Sequence, residues 1–250
     1  MINDLIDIAK EAGKVIMEVY SKDFDFEDKK SSSFSEGVSP LTEADTAADK
    51  VIKRRLRELY PSIPVLSEEG KDISYSLRKK WNKFFLVDPL DGTKEFIKRN
   101  GEFTVNIALI FEGKPILGVV YVPVKDILYY GFEGGSFKVD SNDAVKLEPS
   151  LHDGKLRVVA SKSHFNDETK EYIEKLGEEY ELVNAGSSLK LCLVASNEAD
   201  IYPRLGPTME WDTAAAHAVV KFAGKKVLKL DGKELEYNKE NLLNPYFVVK

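Results

Sequence analysis

A chain of 250 residues is long enough for one large domain or two modest ones and can bury a sizeable core. Its formal net charge of −6 argues against a nucleic-acid polymer as partner, which calls for a basic stripe, but a local group of cations or metal ions still admits a small anionic substrate. The single cysteine, Cys192, excludes an internal disulfide and suits a reducing compartment; within Leu-Lys-Leu-Cys-Leu-Val it reads as a small buried hydrophobe.

Acidic residues stand in Met1-Ile-Asn-Asp-Leu-Ile-Asp where a signal peptide carries basic ones, and no apolar run approaches the roughly 18 residues of a membrane span. A cytoplasmic location is expected, with peripheral association with the inner membrane left open, as is the choice between monomer and homodimer.

The first element is an amphipathic helix, with Leu5, Ile8, Ala9, Ala12, Val15, Ile16 and Val19 on one face. The polar, Ser-rich stretch 21–39 reads as a mobile loop. A second helix is expected over Glu43–Leu59, with Ala47, Val51, Ile52, Leu56 and Leu59 inward and Pro61 and Pro64 beyond its end. Phe84–Val87 predicts a short buried strand running into Asp88, where Pro89 is expected to stop the ladder. Phe103–Phe111 and Pro115–Val122 flank Glu112-Gly113 as a hairpin, which Ile127–Phe132 extends into an antiparallel meander.

Beyond Gly134-Gly135, strands at Arg157–Ala160, Glu181–Val183 and Asp200–Tyr202 alternate with helices at Glu168–Leu176 and Leu189–Ala195. A helix over Asp212–Phe222 and a strand at Val227–Leu230 follow. Such alternation predicts an α/β layer. The expected organisation is an α+β N-terminal part over 1–134, with an antiparallel sheet and most of the acidic residues, and an α/β part over 135–250.

Three short segments carry acids that one buried face would not tolerate: Ser67-Glu68-Glu69, Asp88-Pro89-Leu90-Asp91-Gly92-Thr93 and Trp211-Asp212-Thr213. In the middle one, a strand of apolar residues ends in an acid and a tight turn returns a second acid three positions later. Such a turn can aim Asp88, Asp91 and the Leu90 carbonyl at one point. Oxygen-only ligation of this kind suits Mg²⁺, and the lack of His and Cys argues against zinc. Taken singly, each piece has an ordinary reading: Asp-Pro and Asp-Gly as turns, Glu68-Glu69 as surface, Asp212 as a helix cap, and Asp45 with Thr42 as a capping box.

Together they match a family. Leu86-Val87-Asp88-Pro89-Leu90-Asp91-Gly92-Thr93 resembles the D-P-[IL]-D-G-T signature of the inositol-monophosphatase-like phosphatases. Pro64-Val65-Leu66-Ser67-Glu68-Glu69 is similar to their upstream glutamate element and Trp211-Asp212-Thr213-Ala214-Ala215 to their W-D-x-A-A element, after which many relatives carry glycine where this chain has Ala216. Residues 94–106 (Lys94 to Asn106) and Gly186-Ser187-Ser188-Leu189-Lys190 resemble the bacterial 3′(2′),5′-bisphosphate nucleotidase branch.

The resemblance runs nearly the full chain and implies a layered α-β-α-β-α sandwich. It implies that Glu68, Asp88, Asp91, Asp212 and the Leu90 carbonyl hold two or three Mg²⁺ ions, with Glu69 acting through water. Asp45 and Thr93 would orient and deprotonate the attacking water. On the substrate side it implies contacts from Gly92, Thr93, Ser161, His164, Gly186, Ser188, Lys190 and Asp212, with the 186–188 turn as an anion nest. The loop at about 23–39 would lie near the metals. His152 and His217 are left as loop and helix surface. The implied reaction converts adenosine 3′,5′-bisphosphate to AMP and phosphate, in the setting of sulfate assimilation, with inhibition by Li⁺ and Ca²⁺. Alternatives are inositol 1-phosphate, an inositol bisphosphate or fructose 1,6-bisphosphate as substrate, or a binding module without turnover.

Overall fold

A computed structural model describes residues 1–22, 40–70, 72–141, 143–150, 154–160 and 166–250, and of Pro40, Leu41 and Thr42 only the helical backbone. The expected loop at 23–39, together with His152, Ser161 and His164, lies outside the described residues, and the Thr42 side chain does too.

Seven strands form the first sheet in chain order: β1 (Val65–Ser67), β2 (Lys83–Asp91), β3 (Thr104–Phe111), β4 (Lys114–Val122), β5 (Ile127–Phe132), β6 (Gly135–Asp140) and β7 (Asp143–Leu147). β1 runs parallel to β2 and every later pairing is antiparallel. The predicted meander is therefore present and longer than expected. The division expected at 134/135 falls between β5 and β6, inside this sheet.

One face of the sheet is covered by α1 (Ile2–Tyr20) and α2 (Pro40–Leu59), and a short α3 (Tyr75–Arg78) lies in the connection from β1 to β2. On α1 the predicted face is the buried one, apart from a half-exposed Val15. On α2 the buried apolar positions are Ala44, Ala48, Ile52 and Leu56, while Leu59 is exposed. The true face is thus rotated from the one expected. These helices pack on Phe85, Val87, Phe96, Phe103 and Val105, and each fully buried large side chain contributes about 1.5–3 kcal/mol.

The opposite face receives α6 (Leu189–Ala195) and α7 (Glu210–Phe222). α7 lies unusually close to the strands: a Cβ on Gly118 of β4 would meet the Ala215 carbonyl oxygen at 2.2 Å, and one on Gly131 of β5 the Ala218 carbonyl oxygen at 2.6 Å. The small residues Thr213-Ala214-Ala215-Ala216 fit that contact, and Ala216 is fully buried there.

Behind these helices lie the parallel pair β8 (Leu156–Ala160) and β9 (Tyr180–Asn184), and the antiparallel set β10 (Tyr202–Arg204), β12 (Phe247–Val249) and β11 (Val227–Lys229) in that order. A parallel bridge from Val158 to Ile201 joins the two sets. A last helix, α5 (Asp167–Glu174), covers the far side through Ile173. The layers read α-β-α-β-α. His217, expected on a helix surface, is fully buried and shares a 2.9 Å hydrogen bond with the Tyr237 hydroxyl.

Candidate active site

β2 does not end at Asp88. Because Pro89 has no N–H to give, the ladder skips from the Asp88–Asn106 pair to Asp91–Thr104, leaving an irregularity rather than a stop. Within it the Leu90 N–H donates to Asp88 Oδ1 at 3.1 Å, which fixes the turn. Gly92 then takes φ +102°, a left-handed conformation that favours glycine, and a Cβ there would press on Phe103 Cα at 3.1 Å and Ser187 Cβ at 3.3 Å. Thr93 follows as the exposed first residue of α4 (Thr93–Ile97), which packs against α2, the helix of Asp45.

Glu68 opens a short 3-10 turn, Glu68–Gly70, directly after β1. Asp212 sits in the first turn of α7, where one carboxylate oxygen accepts the Met209 N–H at 2.9 Å. The capping reading of Asp212 is correct and does not exhaust the residue, because Glu68, Asp88 and Asp212 offer oxygens all within 4.8 Å of one another. Three chain segments far apart in sequence thus deliver three carboxylates to one point.

The electrostatic consequence is large. Burial, reinforced by Asp91, Glu68 and Asp212, pushes the Asp88 carboxyl well above the usual carboxylate range. Burial with Asp91 and Glu68 raises Asp212 to about 7, against the opposing Met209 hydrogen bond. Asp45 rises to about 8 through burial, then Glu69, Glu68 and Asp49. Burial is the larger cause of each shift and repulsion among the acids the next, and a bound cation would offset both. One Asp45 oxygen is also buried without a hydrogen-bond partner, a position that an ion or ordered water would satisfy. The donor set, all oxygen, fits Mg²⁺.

Asp91 is held apart from that trio. Its Oδ2 accepts the Ser188 N–H at 2.6 Å, and the Ser188 hydroxyl donates to Asn106 Oδ1 at 2.8 Å and lies 2.9 Å from Thr104 Oγ1. Ser188 is 1% exposed, so both its polar groups serve Asp91 and the sheet rather than the cleft. The anion that the 186–188 turn holds is Asp91 itself. Burial raises the Asp91 carboxyl to about 6 despite Lys190 and the Ser188 N–H. Gly186 lies behind the same turn, its absent Cβ leaving room for Glu95 and Glu102.

Beside the acids opens a cleft of about 580 Å³, counting the space open to solvent, with Asp91, Gly92, Lys190, Tyr202, Arg204 and Asp212 among its walls. Lys190 is not a solvated surface lysine: it is 7% exposed, its Nζ donates to the Ser187 carbonyl at 2.8 Å and lies 5.9 Å from the Tyr202 ring centroid. Burial lowers its pKa to about 8, which Asp91 resists and Arg204 assists. Arg204 and Thr208 were not singled out from sequence. Arg204 donates to the Pro207 carbonyl at 2.7 Å, while its Nε and the Thr208 hydroxyl are buried without partners. The one available signal was a lysine inside the otherwise apolar run Leu189–Ala195.

Comparison with known proteins agrees with this geometry. The inositol monophosphatase family model matches residues 1–246. The chain belongs to the inositol monophosphatase family. Within the family it is 48% identical over 253 residues to the 3′(2′),5′-bisphosphate nucleotidase CysQ of Salmonella typhimurium, covering 100% of this chain and 99% of that protein. It is 49% identical to the CysQ nucleotidase of Escherichia coli K12 over the same shares. Among solved structures, CysQ from Bacteroides thetaiotaomicron, described as a bacterial member of the family, superposes with a TM-score of 0.88 at 43% identity, covering 99% of this chain and 96% of that one. Among the described residues, no helix is long and apolar enough to cross a membrane.

Proposed function

We propose that this chain is a magnesium-dependent phosphatase that hydrolyses adenosine 3′,5′-bisphosphate to AMP and phosphate. The observation that carries the reading is a carboxylate trio, Glu68, Asp88 and Asp212, whose Asp212 also lines a cleft together with Asp91 and the buried Lys190. Full-length identity of 48–49% to proteins named as 3′(2′),5′-bisphosphate nucleotidases supports the same substrate class.

In this reading Glu68, Asp88 and Asp212 hold the metal with Asp91 and the Leu90 carbonyl, and Glu69 acts through water. A bound divalent ion supplies Lewis acidity and lowers the pKa of water. Asp45 takes the proton of the attacking water by way of the Thr93 hydroxyl, since a threonine can accept a proton only if its own passes on. Water attacks the phosphorus and the bond to the ester oxygen breaks; that oxygen takes up a proton from solvent water, and Asp45 returns the proton it received to solvent. Gly92 lets the chain approach the phosphate closely. Lys190, with Arg204 beside it, faces the phosphate that is not cleaved, as a point charge and a fork respectively. Ser161 and His164 complete the nucleotide contacts. Sensitivity to Li⁺ and a place in sulfur metabolism belong to the same reading.

The test is kcat/KM for adenosine 3′,5′-bisphosphate, inositol 1-phosphate and fructose 1,6-bisphosphate, each with Mg²⁺ and with excess chelator. The reading requires the nucleotide to lead and the chelator to abolish turnover. A lead for inositol 1-phosphate, or turnover in chelator, contradicts it.

A further inference from the structure

Four residues along α2 from Asp45, on the same side of the helix, lies Asp49, 7% exposed. Its Oδ1 accepts the Ser67 hydroxyl at 2.6 Å and its Oδ2 pairs with Lys53 Nζ at 2.7 Å. Ser67 is fully buried and is the last residue of β1, immediately before Glu68. Lys53 reaches the other end of the same turn, for a Cβ on Gly70 would sit 2.9 Å from its Nζ. One carboxylate therefore ties α2, through the Ser67 hydroxyl, to the residue before the Glu68–Gly70 turn, and holds a lysine beside the far end of that turn.

The placement runs against simple electrostatics. A further buried acid beside Asp45 adds to the repulsion that Asp45 already meets from Glu69 and Glu68. Packing alone would be served by an apolar side chain at that position. What a carboxylate offers instead is two directed, short, charge-assisted contacts. Those contacts fix the spacing between the helix of Asp45 and the turn of Glu68.

We propose that Asp49, with Ser67 and Lys53, is a positioning group that holds Glu68 in register with Asp88 and Asp212 and so sets the affinity of the acid cluster for a divalent cation. The proposal rests on reading that cluster as the metal centre. Partners that orient metal-binding side chains in this way typically account for about 10–100-fold in metal affinity.

Mn²⁺ binding to the full-length protein, followed by the loss of the free-ion electron paramagnetic resonance signal, tests this directly. Ser67→Ala and Asp49→Asn are compared with wild type and with Ile52→Val, a packing change on the same helix, and the Tm of each protein is recorded. Ser67→Ala and Asp49→Asn should weaken Mn²⁺ binding about 10–100-fold and move the Mg²⁺ activation midpoint upward. Ile52→Val should lower Tm without moving Mn²⁺ affinity. Wild-type affinity in both network variants would overturn the positioning role while leaving the metal centre standing. An equal loss in Ile52→Val would reduce the role to general stability. Absence of Mn²⁺ binding in the wild type would remove the metal reading itself.

Discussion

An acid wall, which reaches the cleft through Asp91 and Asp212, and a cation wall of Lys190 and Arg204 are built by opposite means. On the acid wall, Asp88, Leu90 and Asp91 come from one irregular strand end, and Glu68 and Asp212 each stand at the start of a helical turn. On the cation wall, Lys190 is the second residue of an otherwise apolar helix and Arg204 the end of a three-residue strand. The acid wall concentrates like charge and needs something to neutralise it; the cation wall holds a lysine whose burial already strains its charge. That difference is what favours, in the proposed reading, a metal at the acid wall and a substrate anion at the cation wall.

Breaking the acid wall should have the largest effect. Asp88→Asn leaves the shape and removes a fully buried charge between Glu68 and Asp212. A drop in kcat of roughly 10³-fold or more is expected, read by initial rates at saturating Mg²⁺. Breaking the cation wall is milder and selective. Lys190→Met should raise KM for the bisphosphate about 10–100-fold, since a charge-assisted contact to phosphate is typically worth about 1.5–3 kcal/mol.

The pH dependence separates the walls further. Lys190 must be charged to hold a phosphate, and burial lowers its pKa from 10.5 to about 8. The kcat/KM for the bisphosphate reports the free enzyme and should therefore fall as pH rises through about 8, a limb that Lys190→Met removes. On the acid wall the sign is set by carboxyls raised in the folded state, Asp91 to about 6, Asp212 to about 7 and Asp45 to about 8. Such groups favour folding most at low pH, and that contribution is lost as pH rises through the folded values. The metal-free protein should thus lose roughly 5 °C or more in Tm between pH 5.5 and 8.5 by calorimetry, and Mg²⁺ should restore most of it.

The same contrast governs what could be read from sequence. The acid wall was legible because its ligands sit in short, locally determined turns whose spelling carries the geometry. The cation wall was not: nothing local to Arg204 says that β10 pairs with a strand more than forty residues later, Phe247–Val249. Lys190 was read from the family resemblance, yet only packing shows that it is buried. The resemblance implies a substrate contact for Ser188, whereas in the structure its N–H goes to Asp91 and its hydroxyl to Asn106 and Thr104. In the fold, the meander and the central helices followed from apolar periodicity. β7 escaped because its edge position leaves Asp143–Lys146 exposed, and β6 because Gly135-Ser136-Phe137-Lys138-Val139-Asp140 mixes polar and apolar residues and buries only Ser136. The rotated face of α2 has a like cause, since Ala44 and Ala48 pack on the sheet where larger residues were expected to point.

The claim that joins both walls is that one cleft cleaves one phosphate while holding another. It is tested most directly by kcat/KM for adenosine 3′,5′-bisphosphate against adenosine 3′-monophosphate, in wild type and in Lys190→Met, at fixed Mg²⁺ and pH 7. The account requires a wild-type preference of about 10-fold or more for the bisphosphate, from the worth of one charge-assisted phosphate contact, and its collapse toward unity in the variant. Equal rates on the two substrates in the wild type, or a preference that survives loss of the lysine, would contradict it.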